Sequence, residues 1–241
     1  MKKRLLLFLI GLLFCAQTAL AADFETTFAT CEKDFSHEGK LIYHYTCRYP
    51  VIQGDGPVAE SLNHFFERAV SEMTDLVLPM YAADPDMAGD GNRVLKQEYE
   101  ITCNNGKLFS TLMRQEMGDV GKEQVSLFSQ VFALEGPYQG ETLTLRGMLG
   151  EIGDSSDQIA QLVLNDIWQK IEQEMKEEGS AWQKDLTLDT LSKDFFPQEQ
   201  FYADQEGCAV FYLEPGLFRT DTQSPTYVYS AEDVLRLLNS K

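Results

Sequence analysis

The sequence predicts an α+β fold: an antiparallel sheet of hairpins and a meander packed against two main helices, with a short C-terminal helix. Three observations lead to this class. Apolar alternation at period two occurs in paired segments separated by turn signals. Two long segments instead show the helical period of 3.6. These helices lie between groups of strands and do not alternate with single strands, which is typical of α+β proteins.

The first strand pair spans residues 24–33 and 41–49, with a turn predicted near Glu38-Gly39. In the second strand, apolar residues recur at every other position and are expected to share one face. These residues are Leu41, Tyr43, Tyr45, Cys47 and Tyr49. We interpret this face as sheet core, because aromatic residues at strand alternation normally pack inward. A sugar-binding or peptide-binding surface is the alternative.

A helix is predicted over residues 58–76, after the turn sequence that begins at Gly54. Pro57 suits the first turn of a helix, and Pro79 is expected to end it. The predicted apolar stripe consists of Val58, Leu62, Phe65, Phe66, Ala69, Val70 and Met73.

A meander follows, with strands over residues 94–103, 107–117 and 124–134 and a short strand over 142–145. The dipeptide Asn105-Gly106 between the first two is a strong signal for a type I′ hairpin turn. Glycines and acidic residues cluster over 136–155. We therefore predict one module over 22–241 that divides, at most, into subdomains of about 22–140 and 141–241.

The second half opens with a long helix, for which Ser155 and Gln158 fit a capping box. A short helix is expected within 186–196, and strands over 200–203 and 208–213. Ser230 and Asp233 cap a final helix that runs through residue 238.

The N-terminus has the plan of a secretory signal peptide. Lys2, Lys3 and Arg4 precede an apolar run over 5–16, and Ala19-Leu20-Ala21 supplies small residues for cleavage. We expect cleavage after Ala21. The run is shorter than the roughly 20 apolar residues that span a bilayer, and no other segment is apolar enough to span. The mature protein is therefore expected outside the cytoplasm, periplasmic or secreted.

The chain is strongly acidic. It has 20 Lys and Arg against 38 Asp and Glu, for a formal charge of −18. The first 21 residues hold three of the basic residues and none of the acidic ones, so the mature charge is −21. This excludes nucleic acid as an expected partner, because phosphate binding needs clustered Lys and Arg. It also disfavours an anionic membrane surface.

Four cysteines remain after cleavage, because Cys15 leaves with the signal peptide. An even number in an oxidising compartment favours disulfides. Three pairings are possible. We favour Cys31–Cys47 and Cys103–Cys208, since Cys31 and Cys47 are symmetric about position 39 of the first hairpin. The spacings do not match those of a zinc site.

No catalytic motif is recognisable, so neither a catalytic residue nor a cofactor is predicted. The chain lacks the Walker, G-x-G-x-x-G, G-x-S-x-G and H-E-x-x-H patterns. Its three histidines, His37, His44 and His64, have no readable nucleophile nearby, and we interpret His44 and His64 as surface or hydrogen-bonded residues.

A loop over residues 82–93 partly matches a calcium-binding pattern. Asp84, Asp86, Asp90 and Asn92 stand at positions 1, 3, 7 and 9. Positions 5 and 12 are Ala88 and Leu95, which cannot supply the oxygen ligands needed there. No metal site is therefore predicted.

The order of the pieces resembles the extracellular domain of RsiV-type anti-sigma factors. This domain type is related to paired domains of unknown function found in secreted bacterial proteins and ahead of some peptidoglycan deacetylases. The residues that carry the resemblance are Tyr45, Tyr49-Pro50, Ile52, Ala59, Asn63, Tyr99-Glu100-Ile101, Leu108-Phe109-Ser110, Leu143-Thr144-Leu145, Phe211 and Glu214-Pro215. The similarity covers about residues 24–239 and implies an α+β, non-catalytic module that binds lysozyme.

Three functions are therefore considered, and the first is favoured. The first is a secreted ligand-binding module whose partner is a basic muramidase (lysozyme) or a cell-wall component. A charge of −21 would attract a basic partner at long range. The second is a cell-wall or peptide hydrolase, which a pocket joining His44 or His64 to a carboxylate and a hydroxyl would favour. The third is a structural protein of envelope assembly.

Overall fold

A computed structural model describes residues 23–84, 86, 91–177, 180–214 and 225–240. The predicted signal peptide, residues 1–21, lies outside these ranges. The fold is α+β, as the sequence predicts, and contains two sheets. The first sheet has the order β1-β2-β3-β4-β5. Its strands are β1 (Thr26–His37), β2 (Lys40–Ile52), β3 (Arg93–Asn104), β4 (Leu108–Asp119) and β5 (Gln124–Ala133).

The second sheet is small and antiparallel, with the order β6-β7-β8. Its strands are β6 (Phe201–Ala203), β7 (Ala209–Tyr212) and β8 (Thr226–Tyr229). Strand β8 is not predicted from the sequence. The helices are α1 (Pro57–Glu72), α2 (Leu78–Ala83), α3 (Leu145–Met148), α4 (Ser156–Glu174), α5 (Leu188–Asp194) and α6 (Ala231–Asn239). In the described ranges, no helix combines the length and hydropathy required to cross a bilayer.

The first hairpin turns where the sequence predicts, at Glu38-Gly39, and both residues have positive φ angles (51° and 79°). That pair of angles fits the type I′ turn, which matches the twist of the strands. The register shifts beyond Phe35, and Ile42 is the extra residue on β2. Ile42 is therefore buried (4% exposed), whereas Leu41, predicted on the core face, is 36% exposed.

Strands β2 and β3 pair in parallel, and every other neighbouring pair in the first sheet is antiparallel. The parallel pair arises because α1 and α2 connect the two strands, and such a connection returns the chain to the same end of the sheet. The hairpin and the meander thereby form one continuous sheet.

Pro79 does not end the first helix. The chain passes from α1 through a π-helical turn, Met73–Val77, into α2, and Leu78 N–H donates to the Met73 carbonyl. Proline has no N–H to donate to a preceding carbonyl. Lys33 instead donates from Nζ to the Thr74 carbonyl, at 3.2 Å. The helix therefore continues past Pro79 because a π-turn and a side chain from β1 accommodate the missing donor.

The buried residues form two hydrophobic cores. The first core lies between the first sheet and α1, with Tyr43, Tyr45 and Phe66 fully buried at its centre. The second core gathers apolar residues from the second sheet and from α3, α4, α5 and α6. Cys103 and Val131, from the first sheet, also pack into the second core. The proposed division at residues 140 and 141 stays a prediction.

Candidate functional site

A cleft of about 590 Å³ lies along the free edge of β5. We call it the β5 cleft. It is bounded by Leu127–Val131 of β5, by residues 142–144, by the α5–β6 connection and by the end of β7. Its size falls within the range of about 300–1,000 Å³ that is typical of ligand pockets.

The α5–β6 connection directs one aromatic ring inward and the next outward. Phe195 is buried against Phe211, with ring centroids 6.4 Å apart. A turn then begins, in which Glu199 N–H and Gln200 N–H donate to the Phe196 carbonyl. Phe196 consequently lines the β5 cleft and is 48% exposed. Phe128 of β5 also lines the cleft and is equally exposed.

Polar groups from the second sheet cover part of the β5 edge. Tyr212 Oη donates to the Leu127 carbonyl at 3.4 Å. The Leu127 N–H donates to the Glu214 carboxylate. An edge strand exposes unpaired backbone groups, and these two side chains satisfy both groups of one residue. The backbone of β5 thus fixes the position of Glu214 in the cleft.

Burial raises the pKa values of Glu214 and Tyr212, the two groups that contact the backbone of Leu127. It raises the pKa of the Glu214 carboxyl, and the hydrogen bond from Leu127 N–H offsets part of that increase. It raises the pKa of Tyr212 to about 12. Loss of hydration disfavours the charged form of an acid, and this makes an ionised Glu214 sensitive to an added positive charge.

Ser129, the one serine among the described lining residues of the β5 cleft, forms hydrogen bonds within the protein. Ser129 Oγ lies 2.5 Å from the Phe201 carbonyl and 3.2 Å from Tyr212 Oη. None of the three histidines is among the residues that line the described cleft. Ser129 is therefore held by contacts within the protein, and no histidine stands beside it in the described lining.

A second cleft, of about 560 Å³, lies on the face of the first sheet opposite α1. We call it the sheet cleft. The Arg48 guanidinium lies over the Phe28 ring at 3.6 Å from the centroid. Glu98, between Arg48 and Arg114 in the strand register, lines the same cleft. The two clefts share Leu127 as a lining residue.

Of the predicted disulfide residues, Cys31 and Cys47 are direct partners across the β1–β2 ladder. The second predicted pair lies beside two adjacent turns, since Cys103 is near the end of β3 and Cys208 precedes β7, and Asn105 Nδ2 donates to the Gln205 carbonyl at 3.1 Å between those turns. All four cysteines lie within the described ranges, and the structure contains them as free thiols without a bonded pair. Burial raises the pKa of both Cys47 and Cys103 to about 11. The two disulfides stay predictions.

His44 lies on the open face of the first sheet, out of phase with the buried tyrosines, as predicted. Its Nδ1 is 2.7 Å from Asp34 Oδ1. Its Nε2 is 3.4 Å from Thr46 Oγ1 and 3.6 Å from Glu32 Oε1. The imidazole thus meets a carboxylate and a hydroxyl, but on an exposed surface. None of these residues lines a described cleft.

The acidic loop that partly matches a calcium pattern is only partly described. Asp84 Oδ1 accepts from the Asp86 N–H at 2.9 Å, which makes a local turn. Leu95, at the position of the last ligand, is buried in β3. Residues 85 and 87–90 lie outside the described ranges.

The two-sheet α+β architecture is that of a known structural class. A member of the DUF3298 family from Bacteroides fragilis aligns over 87% of this chain and 91% of its own, with a TM-score of 0.56 and 14% identity. A DUF3298 family protein from Pseudomonas aeruginosa aligns over 91% of this chain and 94% of its own, with a TM-score of 0.52 and 12% identity.

The chain therefore shares the fold of DUF3298 proteins, a family named as a domain of unknown function. At such identities the likeness concerns the fold alone. No family model matches the sequence. No curated protein matches it either.

Proposed function

We propose that the mature chain is a secreted, non-catalytic ligand-binding module of the cell envelope. Its ligand is a basic muramidase or a cell-wall component. The observation that carries this proposal is the β5 cleft: a large open cavity that exposes two aromatic rings and acidic side chains. Its serine is occupied in structural contacts. Aromatic surface with a few placed polar groups is the usual composition of a ligand site.

Two further features support the proposal. The resemblance to the RsiV-type extracellular domain rests on an order of elements, and the structure contains a first hairpin, a helix, a meander, a long helix and final strands in that order. The signal-like N-terminus and the formal charge of −21 after its removal suit an extracytoplasmic protein that attracts a basic partner.

Titration calorimetry of the mature protein against a basic lysozyme, at low and high salt, tests the function. We expect saturable binding that weakens as salt rises, because screening reduces attraction between opposite charges. Muramidase activity measured alongside distinguishes an inhibitor from a sensor. The absence of binding at either salt concentration would remove lysozyme as the ligand.

A hydrolase is the second candidate, and the contacts of His44 are the observation that favours it. Asp34 and Thr46 flank the imidazole in the order carboxylate, imidazole, hydroxyl. If the protein cleaves wall or peptide substrates there, His44→Ala must abolish turnover while lysozyme binding persists. Release of muropeptides or peptides by the wild type, lost in this variant, would replace the binding proposal.

A further inference from the structure

The clefts of this molecule differ sharply in charge. Three carboxylates line the β5 cleft, from Asp194, Glu199 and Glu214, and none of its described lining residues is Lys, Arg or His. The sheet cleft is balanced, because Arg48 and Arg114 stand with Glu98 and Glu100. The β5 cleft is therefore a local concentration of negative charge within an acidic protein.

Aromatic rings accompany these carboxylates. Phe128 and Phe196 each expose 48% of their surface, although phenylalanine is normally buried. The face of an aromatic ring attracts an ammonium or guanidinium group, and the ring also packs against an alkyl chain. Lysine and arginine side chains combine an alkyl chain with a cationic group. The lining thus matches both parts of a basic side chain.

Glu214 is the carboxylate placed best to anchor such a group. It is half-buried, and its backbone partner, the Leu127 N–H, holds it in place. A carboxylate has about four lone-pair sites, so one hydrogen bond leaves it able to accept more. Charge interactions are stronger where water is partly excluded. A cation that enters the cleft therefore gains most at Glu214.

We propose that the β5 cleft binds lysine or arginine side chains from a basic segment of a partner polypeptide, with Glu214 as the anchor and Phe128 and Phe196 as packing surfaces. This inference rests on the proposed binding function and assigns it a site and a ligand chemistry. The cleft volume of about 590 Å³ has room for more than one side chain.

The probe is a terminally blocked tetralysine peptide, titrated into the mature protein by calorimetry at low salt. The cleft variant is Asp194→Asn/Glu199→Gln/Glu214→Gln. Its matched control is Glu67→Gln/Glu172→Gln/Glu177→Gln, which changes the net charge equally at exposed sites outside the cleft. We expect the cleft variant to bind at least tenfold more weakly than the wild type. The control variant is expected to stay within twofold.

A second variant removes packing without changing charge. Phe196→Ala is expected to weaken tetralysine binding at least threefold, whereas Tyr138→Ala, an exposed aromatic outside the β5 cleft, leaves it unchanged. Circular dichroism establishes that each variant is folded. Equal weakening by the two triple variants would show that binding follows net charge and would overturn the proposal. So would no binding by the wild type, or tighter cleft binding of neutral chitotetraose than of tetralysine.

The same variants separate this inference from the proposed function. Lysozyme binding that is unaffected by the cleft variant and by Phe196→Ala would retain the function and reject the site. Tetralysine binding that depends on the cleft, without any lysozyme binding, would retain the site and reject lysozyme as the partner.

Discussion

Glu214 is a carboxylate in surroundings that disfavour its charge, because burial raises its pKa. The native state then loses stability as pH rises from the unfolded-state value of about 4.3 through the higher native value. Such a residue reduces stability at neutral pH, and a ligand contact is a physical reason to retain it.

Glu214→Gln is therefore expected to increase stability at pH 7, because the amide keeps an acceptor for Leu127 N–H without a buried charge. The gain should shrink as pH falls to about 4, just below the unfolded-state pKa of about 4.3, where the wild-type carboxyl is mostly protonated in both states. Urea unfolding at the two pH values measures it, with exposed Glu67→Gln as the control. A loss of stability at pH 7 that exceeds the loss at pH 4 would contradict the account.

The predicted cysteine pairing depends on two different kinds of information. Symmetry about the turn at residue 39 placed Cys31 opposite Cys47, and the register agrees. The proximity of the turns next to Cys103 and Cys208 depends on contacts about 100 residues apart, which spacing alone cannot show.

We expect a Cys31–Cys47 disulfide in protein isolated from an oxidising compartment. The Cα atoms of paired residues in an antiparallel ladder, about 4.5–5.5 Å apart, are within the range that a disulfide spans. Unreduced peptide mapping by mass spectrometry detects the link, and its reduction should lower stability by about 3 kcal/mol. Complete alkylation of Cys31 and Cys47 in denatured, unreduced protein would refute it.

At the scale of elements, the strongest signals in the sequence are local ones. The first hairpin, the three long strands of the meander and the start of α4 lie close to their predicted residues, because alternation, turns and caps act over short distances. The chain does turn at Asn105-Gly106, but the turn is not the predicted type I′, which requires a positive φ at both residues. Only Gly106 has a positive φ, and the Asn105 side chain instead accepts from the backbone N–H groups of Lys107 and Leu108.

The predicted elements are wrong where residues distant in the sequence determine the local structure. Pro79 predicts a helix end, but the helix continues through a π-turn, and Lys33 Nζ from β1 donates a hydrogen bond to the Thr74 carbonyl. Residues 142–145 were predicted as a strand. The structure has an isolated bridge at Thr142, and then α3 begins at Leu145. Strand β8 has four residues, too few for alternation to distinguish it from a loop.

The N-cap of α4 allows a test of how much a local sequence signal contributes to stability. Ser155 Oγ accepts from Gln158 N–H, as predicted, but the Gln158 side chain accepts from Asp154 N–H and does not complete the box at Ser155. Ser155→Ala should lower stability by about 1 kcal/mol. Ser192→Ala, in α5, should change it by less than about 0.5 kcal/mol. Urea unfolding compares them, and equal effects would refute the cap's role.

At the scale of the molecule, Ser110 connects the two sheets. Its Oγ accepts from the Ala203 N–H of β6 at 3.0 Å and lies 2.9 Å from Thr102 Oγ1. Both Ser110 and Ala203 are fully buried. This connection and the β5 cleft beside it result from long-range packing, which is why the sequence predicted a binding function without indicating a site.

Ser110→Ala should destabilise the whole fold by about 1–3 kcal/mol, because it leaves a buried N–H without an acceptor. Ser36→Ala, at an exposed position of β1, is the control. Chemical denaturation followed by circular dichroism measures both. A Ser110→Ala protein as stable as the control would mean that the two sheets do not depend on this bond.

Ligand binding at the β5 cleft is tested most directly by an NMR titration of the isotope-labelled mature protein with unlabelled basic lysozyme. We expect saturable, salt-sensitive shift changes that cluster at the β5 cleft, around Phe128, Phe196 and Glu214. Shift changes confined to another surface, such as the sheet cleft around Arg48, or no shift changes at low salt, would contradict it.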